Sequence, residues 1–473
     1  MLLPLSVRIL SEASVSVLYL LLSVVSLQVV LNFGFQPTFA RLVAYATAGL
    51  SVELMSDLRI QSDVFAKNAP TVENEDSLGR VCGAMRKINR RIALISVLFL
   101  GTLGSIAMLR PISELESSMD GWMAWGIIIF GSYLKIRFSN YQIFLNGSGQ
   151  VALVQRWQAL FSALSLGSMI VAICVTDSIS LIIFGHQAWV LIGLLCFYRM
   201  AKESSQQRYT KWERTQPDAR IKKIAWDNAW RSGLGIAGSK LSQQSLGFFY
   251  AQFGSSASVA TFLIGMRLIE AVENFAMAPF YSRLPKLNQF RAQGRHRDLE
   301  ESAARGMQGA HWVYFFGFVI AAAIGPILLN HKNSNVGFPE PTLWLTLGLA
   351  FMLQRFGGMH LQLYSTTNHI IWHWVSLAQG CVILALATIL APLYGAIGLA
   401  VSILMGNLVY AATSANASRT QLQKPLLIFE SVSFLPPLFA FASFAWMEST
   451  FQITSNACNW IRKTMETIIG FLY

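Results

Sequence analysis

The sequence predicts an all-α fold: a polytopic transmembrane helical bundle of two six-helix lobes, a 6+6 parallel pseudo-repeat, with one extra C-terminal helix. Three observations predict it. The 473 residues are 54% hydrophobic and only 13% charged, whereas soluble domains carry roughly a quarter charged residues. Apolar stretches of about 20 residues, enough for a helix to cross a bilayer, recur along the whole chain. The basic residues crowd into a few short loops between those stretches, as in membrane proteins. The ten-residue alternation of barrel strands is absent.

Taken in order, the spans fall near 13–31, 37–56, 92–110, 121–145, 151–175 and 180–200. After a polar linker come 228–252, 257–281, 306–329, 342–365, 369–391 and 394–416. A thirteenth span covers roughly 426–447 despite Glu430 and the Pro436-Pro437 pair. The last 25 residues, with Arg462 and Lys463, are too polar to cross and suit the membrane interface, so a total of 12, 13 or 14 spans stays open. The first apolar run is too long for a signal-peptide core and reads as an uncleaved span. The organisation expected is an N-terminal lobe over 1–200, a basic linker over 201–227, a C-terminal lobe over 228–420 and a tail over 421–473.

Orientation follows from the loops. Residues 57–91, 199–231 and 282–305 are rich in Arg and Lys, among them Arg80, Arg86, Lys211, Lys222, Arg283 and Arg291. The loops of opposite parity, "TDSI", "GSSAS" and "PLYG", contain no base, and "PISELESSMD" is acidic. The basic loops are therefore expected in the cytoplasm, with the N-terminus on the same side. An excess of +12 charges is explained by this loop bias, without nucleic acid as a partner.

The chain also echoes itself. "NFGFQPTFA" (Asn32–Ala40) lines up with "QFGSSASVA" (Gln252–Ala260) at an offset of 220, and Asp76 and Met85 fall opposite Asp298 and Met307 at 222. With six spans in each half, the two matches imply a parallel duplication whose substrate lies between the halves. In this register Arg41 faces Thr261, so its charge would belong to one lobe alone.

Several motifs carry no chemistry. "GLGIAG" (Gly233, Gly235, Gly238) fits a dinucleotide fingerprint but lies inside an apolar span, where small residues let helices approach. "HIIWH" spaces His369 and His373 as metal ligands, but no third ligand is evident and Trp372 and Trp374 mark an interfacial belt. The five cysteines form neither a disulfide framework nor a metal pattern. The sequons at Asn146 and Asn416 fall on the cytoplasmic side. No catalytic triad, phosphate loop or carboxylate pair presents itself, and the short outer loops leave no room for an extracytoplasmic active site. No enzyme and no cofactor is expected.

What remains is a set of bases inside spans: Arg41, Lys135, Arg137, Lys240, Arg267 and Arg355. Each costs about 2.5–3.5 kcal/mol at mid-membrane on insertion scales. Snorkelling is open to Arg137, near a span end. Arg267 stands one turn from Glu270 and could simply pair with it. Arg41 has no acid at i±3 or i±4 and reads as pointing into a wet cavity beside Thr38 and Tyr45. Intramembrane bases outnumber acids, which suits an anionic ligand, and the arginine fork matches phosphate oxygens.

Three segments, "LNFGFQPTFARLVAYATAG", "WRSGLGIAGSKLSQQSLGFFYAQF" and "MRLIEAVENFAMAPFYSRLPKLNQFRAQG", resemble bacterial polysaccharide and O-antigen (Wzx-like) flippases. These belong to the multidrug/oligosaccharidyl-lipid/polysaccharide (MOP, MATE-like) exporter superfamily. The resemblance extends over most of 10–416 and is most specific at "PFYSRLPKLNQFRAQG"; "LNGSGQVALVQRWQAL" resembles the family's Gly-rich cytoplasmic turn. It implies two six-helix lobes around a cationic cavity. It also implies transfer of undecaprenyl-diphosphate-linked oligosaccharide between leaflets of the bacterial inner membrane, where the protein would be a multi-pass monomer. Membrane lipids, a polysaccharide polymerase and chain-length machinery are the partners it suggests.

The resulting expectation is a flippase for O-antigen or exopolysaccharide repeat units, working by alternating access in lipopolysaccharide or exopolysaccharide biosynthesis. Arg41 and Arg267 would hold the diphosphate, with Lys135, Arg137, Lys240 and Arg355 as secondary cations and Tyr45, Gln243, Gln244 and Tyr250 as sugar contacts. Glu53, Glu270 and Glu273 are the candidates for proton or sodium coupling. A drug exporter of the same superfamily is the first rival, disfavoured by the basic excess because cationic drugs call for carboxylates. A membrane glycosyltransferase or polymerase would need a larger outer loop, and a scaffold would not tolerate six intramembrane cations.

Overall fold

The computed structural model describes all residues except 1, 32–34, 48, 50, 53–73, 217, 237, 239–240, 293–294, 330–335, 367–370, 421, 423–424 and 452–473. Among the described residues every regular element is helical. The chain divides into two compact units: unit 1 comprises Met1–Leu5 and Leu20–Gln244, and unit 2 comprises Ser6–Tyr19 and Ser245–Tyr473.

The path begins with α1 (Leu2–Ile9) and α2 (Glu12–Leu31), the latter shared between the units, and continues in unit 1 with α3 (Phe35–Thr47). Then come α4 (Glu75–Phe99), a π turn over Leu100–Gly104, α5 (Ser105–Ser113), α6 (Ser118–Arg137) and α7 (Ser139–Gly147). Unit 1 closes with α8 (Val151–Val175), α9 (Ile179–Ser204), α10 (Tyr209–Trp212) and α11 (Ala219–Ile236). Next is α12 (Ser242–Tyr250), followed in unit 2 by α13 (Ser256–Ala276), α14 (Ala278–Tyr281), α15 (Leu284–Ala292) and α16 (His296–Leu329). The remainder is α17 (Pro341–Ser365), α18 (Trp372–Arg419), α19 (Leu426–Ser433) and α20 (Leu435–Phe451).

Five of these stretches are long and apolar enough to cross a membrane: Glu75–Ser113, Val151–Val175, Ile179–Ser204, His296–Leu329 and Trp372–Arg419. Their outward faces expose large apolar side chains such as Leu98, Val171, Leu195 and Ile320, which in water would be a liability and in lipid is the natural solvent. This is a multi-pass membrane protein.

Helix ends are written in the sequence. Asn74 caps α4 by accepting from Ser77 N at 3.0 Å, with Glu75 and Asp76 in the first turn. Asp120 ties α6 to α9, accepting from Ser178 Oγ at 2.6 Å and Ile179 N at 2.6 Å. Burial pushes the Asp120 carboxyl up, but the bonds from Ser178, Ser180 and Ile179 outweigh it and hold the group below its usual range. The cap is thus formed above the ordinary carboxylate range and is lost as pH falls through the lowered value. Asp120→Asn should therefore remove an acid-side step from the pH dependence of unfolding; an unchanged profile would contradict the cap.

The 48 residues of α18 would reach about 72 Å as one straight helix, over twice a bilayer core. Gly395, at φ +57°, folds it back after Pro392, a conformation L side chains avoid. The halves lie side by side: a Cβ on Gly406 would meet Ile383 at 2.3 Å, and Gln379 Nε2 donates to Asn407 Oδ1 at 2.6 Å. Spans 369–391 and 394–416 of the sequence are these two halves.

The N-terminal spans require correction. α3 is an amphipathic helix that buries Phe35, Phe39, Leu42, Val43 and Ala46 against α7, α4 and α11 and leaves Arg41 exposed. Ala46 O accepts from Asn74 N at 3.2 Å, placing α3 beside the start of α4, the basic-loop end of unit 1. Glu12, at the start of α2, lines a cavity with Ser255, Ser258, Glu340 and Ala396, at the short-loop end of unit 2. So α2 starts among the short loops, not among the basic ones as expected for the N-terminal span.

The echo shifts accordingly. Ser11 Oγ accepts from Ser14 N and meets Ser14 Oγ at 2.9 Å. Ser255 Oγ accepts from Ser258 N and meets Ser258 Oγ at 2.8 Å. These identical caps pair α2 with α13 at an offset of 244, and "NFGFQPTFARL" then meets "NFAMAPFYSRL" at 242. The match at 220 does not share this capping pattern, whereas α4 and α16 keep the 222 offset. The difference of about 20 residues is the longer connection between α3 and α4. In this register Arg41 pairs with Arg283, not Thr261.

Candidate functional site

Beyond Arg156 in its first turns, α8 is apolar apart from one stripe. Gln155, Gln158, Ser162 and Ser165 follow one another at steps of 3, 4 and 3 residues, so they share one face of the helix. That face lines a cavity of about 670 Å³ within unit 1, completed by Gln36 of α3, Gln142 of α7, Lys135 and Ser139 of α6–α7, and His186 and Trp189 of α9. The volume lies in the range of small-molecule sites. Four carboxamides and three hydroxyls supply both donors and acceptors. No carboxylate lines it, and Lys135 has no acidic partner among the described residues. His186 Nδ1 is buried without a hydrogen-bond partner, while Ser165 Oγ donates to the His186 carbonyl at 3.2 Å. The cavity is therefore polar, with the Lys135 amine on one wall, and bounded in part by aromatic rings.

Unit 2 holds its arginines differently. Arg267 meets Glu270 at 2.9 Å along α13. Arg355, 3% exposed, meets Glu273 Oε1 at 2.7 Å and donates to the Glu273 carbonyl at 3.2 Å. These two carboxylates are thus engaged by the very cations that the sequence assigned to a ligand.

The other expected residues are dispersed. Arg137 lies over the Phe138 ring at 5.3 Å. Tyr45 packs half-buried against the unit 1 core. Gln243 and Gln244 are buried in α12, and Tyr250 is buried against Phe253 and Phe262. Lys240 and Glu53 lie outside the described residues. Arg41 as a mid-membrane charge is corrected: the apolar run around it is the buried face of a short helix at the basic-loop end.

No family profile matches the sequence, and no curated protein does. Among solved structures, one similar to this chain is a multidrug-resistance MATE-family transporter of the MOP superfamily in an inward-facing conformation. Its TM-score is 0.65 at 12% identity, with 91% of this chain and 94% of that chain covered. The fold is that of MOP-superfamily transporters. A lipid II flippase, MurJ, in an inward closed conformation is similar over 99% of this chain and 96% of its own, at TM-score 0.62 and 12% identity. The MOP fold was thus legible from sequence, and the two structures named are a transporter and a flippase.

Sequence reasoning passed over the unit 1 cavity because it followed charge. The signal was present as glutamine and serine periodicity on a span whose other residues, Arg156 aside, are mostly apolar. A polar side chain facing lipid is costly, so a regular stripe of them marks an interior polar surface.

Proposed function

We propose that the protein is a flippase that moves a lipid-linked, diphosphate-bearing oligosaccharide, an O-antigen or exopolysaccharide repeat unit, across the bacterial inner membrane by alternating access. The unit 1 cavity is the observation that carries this. Amides and hydroxyls match the hydroxyl groups of a sugar, Trp189 offers an apolar ring face, and Lys135 offers a cation to phosphate. The anion contact moves from Arg41 and Arg267 to Lys135, since Arg267 is already paired and Arg41 lies on an exposed helix face. The polyprenyl chain needs no protein site, because it stays in lipid.

A multidrug exporter is the second reading, favoured by the MATE-family neighbours. The cavity lining argues against it, because a cationic drug in a low-dielectric site needs a carboxylate and this lining has none.

The test is translocation of undecaprenyl-diphosphate-linked oligosaccharide in proteoliposomes. Lys135→Ala should weaken binding by about tenfold or more, the worth of one charge-assisted hydrogen bond, while Lys135→Arg keeps most of the activity. Wild-type transport by a correctly inserted Lys135→Ala protein would refute the assignment of Lys135. Efflux of cationic dyes without any movement of the lipid-linked sugar would favour the exporter.

A further inference from the structure

Unit 2 holds a cavity of its own, of about 900 Å³, at its short-loop end. The volume lies in the range of small-molecule sites. Three helices start at its wall: α2 at Glu12, α13 just after Ser255, and α17 just after Glu340. Ala396 and Ile397, which open the second half of α18 after the fold at Gly395, complete it.

Tyr250 is the group that points to a ligand. It lines the cavity at 5% exposure, with its ring packed edge-on against Phe253 and Phe262. Its hydroxyl has no hydrogen-bond partner among the described residues. A hydroxyl so far withdrawn from solvent is costly unless a partner arrives. Gly395 leaves room for that partner, because a Cβ there would stand 3.2 Å from the Tyr250 oxygen. Thr261, in the second turn of α13, lines the same cavity, and its hydroxyl is likewise unpartnered among the described residues.

The charges on the wall select the class of ligand. Glu12 and Glu340 contribute two carboxylates, and no base lines the cavity among the described residues. Each helix N-terminus carries about half a positive charge, so the starts of α2, α13 and α17 offset most of that negative charge. An inorganic anion would meet the carboxylates. A metal ion would find too few ligands, since no group of three His, Cys, Asp or Glu side chains is gathered among the described residues. What the wall offers is donors and acceptors together. The Ser255 hydroxyl accepts from Ser258 N, Glu340 makes no side-chain cap on α17, and the first amides of both helices include donors with no partner inside the helix. Carboxylates accept, and the two free hydroxyls do both. Phe338 adds an apolar ring. A sugar has matching chemistry, with hydroxyls that donate and accept and a C–H face for the ring.

We propose that this cavity is a carbohydrate site for neutral sugar units, in which Tyr250 and Thr261 hydrogen-bond sugar hydroxyls and Glu12 and Glu340 accept from them. In transport it engages the glycan at the short-loop end of unit 2. That role rests on the flippase reading, whereas the binding site does not.

The test is hydrogen exchange of the full chain in nanodiscs, with a panel of unlinked neutral di- and trisaccharides of glucose, galactose, mannose and rhamnose. At least one should slow exchange at the starts of α13 and α17, and exchange in α8 reports separately on the unit 1 cavity. Tyr250→Phe and Thr261→Val, which each remove one hydroxyl and little else, should each weaken that protection about fivefold, the worth of one hydrogen bond. Thr261→Val stands in if Tyr250→Phe fails to insert. Sodium chloride and inorganic phosphate are the controls. Protection by either salt in place of sugar, no protection by any sugar, or protection that both variants keep at wild-type strength overturns the proposal. Translocation of undecaprenyl-diphosphate-linked oligosaccharide in proteoliposomes separates the two readings. Sugar protection without translocation leaves the site standing and the flippase reading refuted, and translocation without protection refutes the site alone.

Discussion

Replacing Arg355 with alanine is expected to cost about 3–5 kcal/mol of stability, the usual result of stripping one partner from a buried ion pair. The reason lies in what is left behind. Glu273 accepts from Arg355 at both its carboxylate and its carbonyl, and it is only 13% exposed. Without the guanidinium, a carboxylate would stand uncompensated among Tyr281, Tyr314 and Tyr410, or would have to take up a proton. Replacing both partners, Arg355→Leu with Glu273→Leu, should cost much less than Arg355→Ala, since well-packed apolar pairs substitute for buried ion pairs at little loss. Detergent-solubilised unfolding curves of the single and double variants measure the coupling directly. A double variant as unstable as the sum of the singles would mean that Arg355 acts on something other than Glu273.

Phe318→Ala should be the second most damaging single change, at about 3 kcal/mol. Phe318 of α16 is fully buried, stacks on Trp344 of α17 at 4.9 Å and 9°, and meets Phe441 and Phe444 of α20. A Phe→Ala truncation in a protein core costs about 3–5 kcal/mol. The lower end applies here because a chain unfolded within a membrane keeps its apolar groups in apolar solvent, leaving lost packing as the main term. The loss should be local as well as global. Hydrogen exchange in α20 should rise before that in α13, because α20 loses contacts on α16 while α13 keeps its own. Uniform exchange across unit 2 would show that α20 is not a separable layer.

The helical, membrane-crossing nature of the chain was legible because it rests on composition and length, which a bilayer tests at every position. The single C-terminal span expected over 426–447 is instead two helices, α19 and α20, because the chain breaks at Phe434 before the Pro436-Pro437 pair. The contact of Glu430 with His360 was not legible, because the two lie 70 positions apart in sequence and only packing brings them together. The N-terminal register failed for a different reason. Short matches built of Phe, Gly, Ala and Ser recur by chance in apolar sequence, and the Ser11–Ser14 and Ser255–Ser258 hydrogen bonds favour a different register. Arg41 misled because hydropathy averages over a helix. It cannot tell a span with a charge in its middle from an amphipathic helix with a charge on its outer face.

The pairing of Arg41 with Arg283 alters what a mutant at either position can prove. Arg41 and Arg283 stand at matching places in this register, so a charge at either one is not by itself a sign of cargo binding. A transport defect in Arg41→Ala alone would therefore be silent about ligand recognition. It gains meaning only beside Arg283→Ala: equal defects would point to a duty common to both positions, and unequal ones to a duty of one of them.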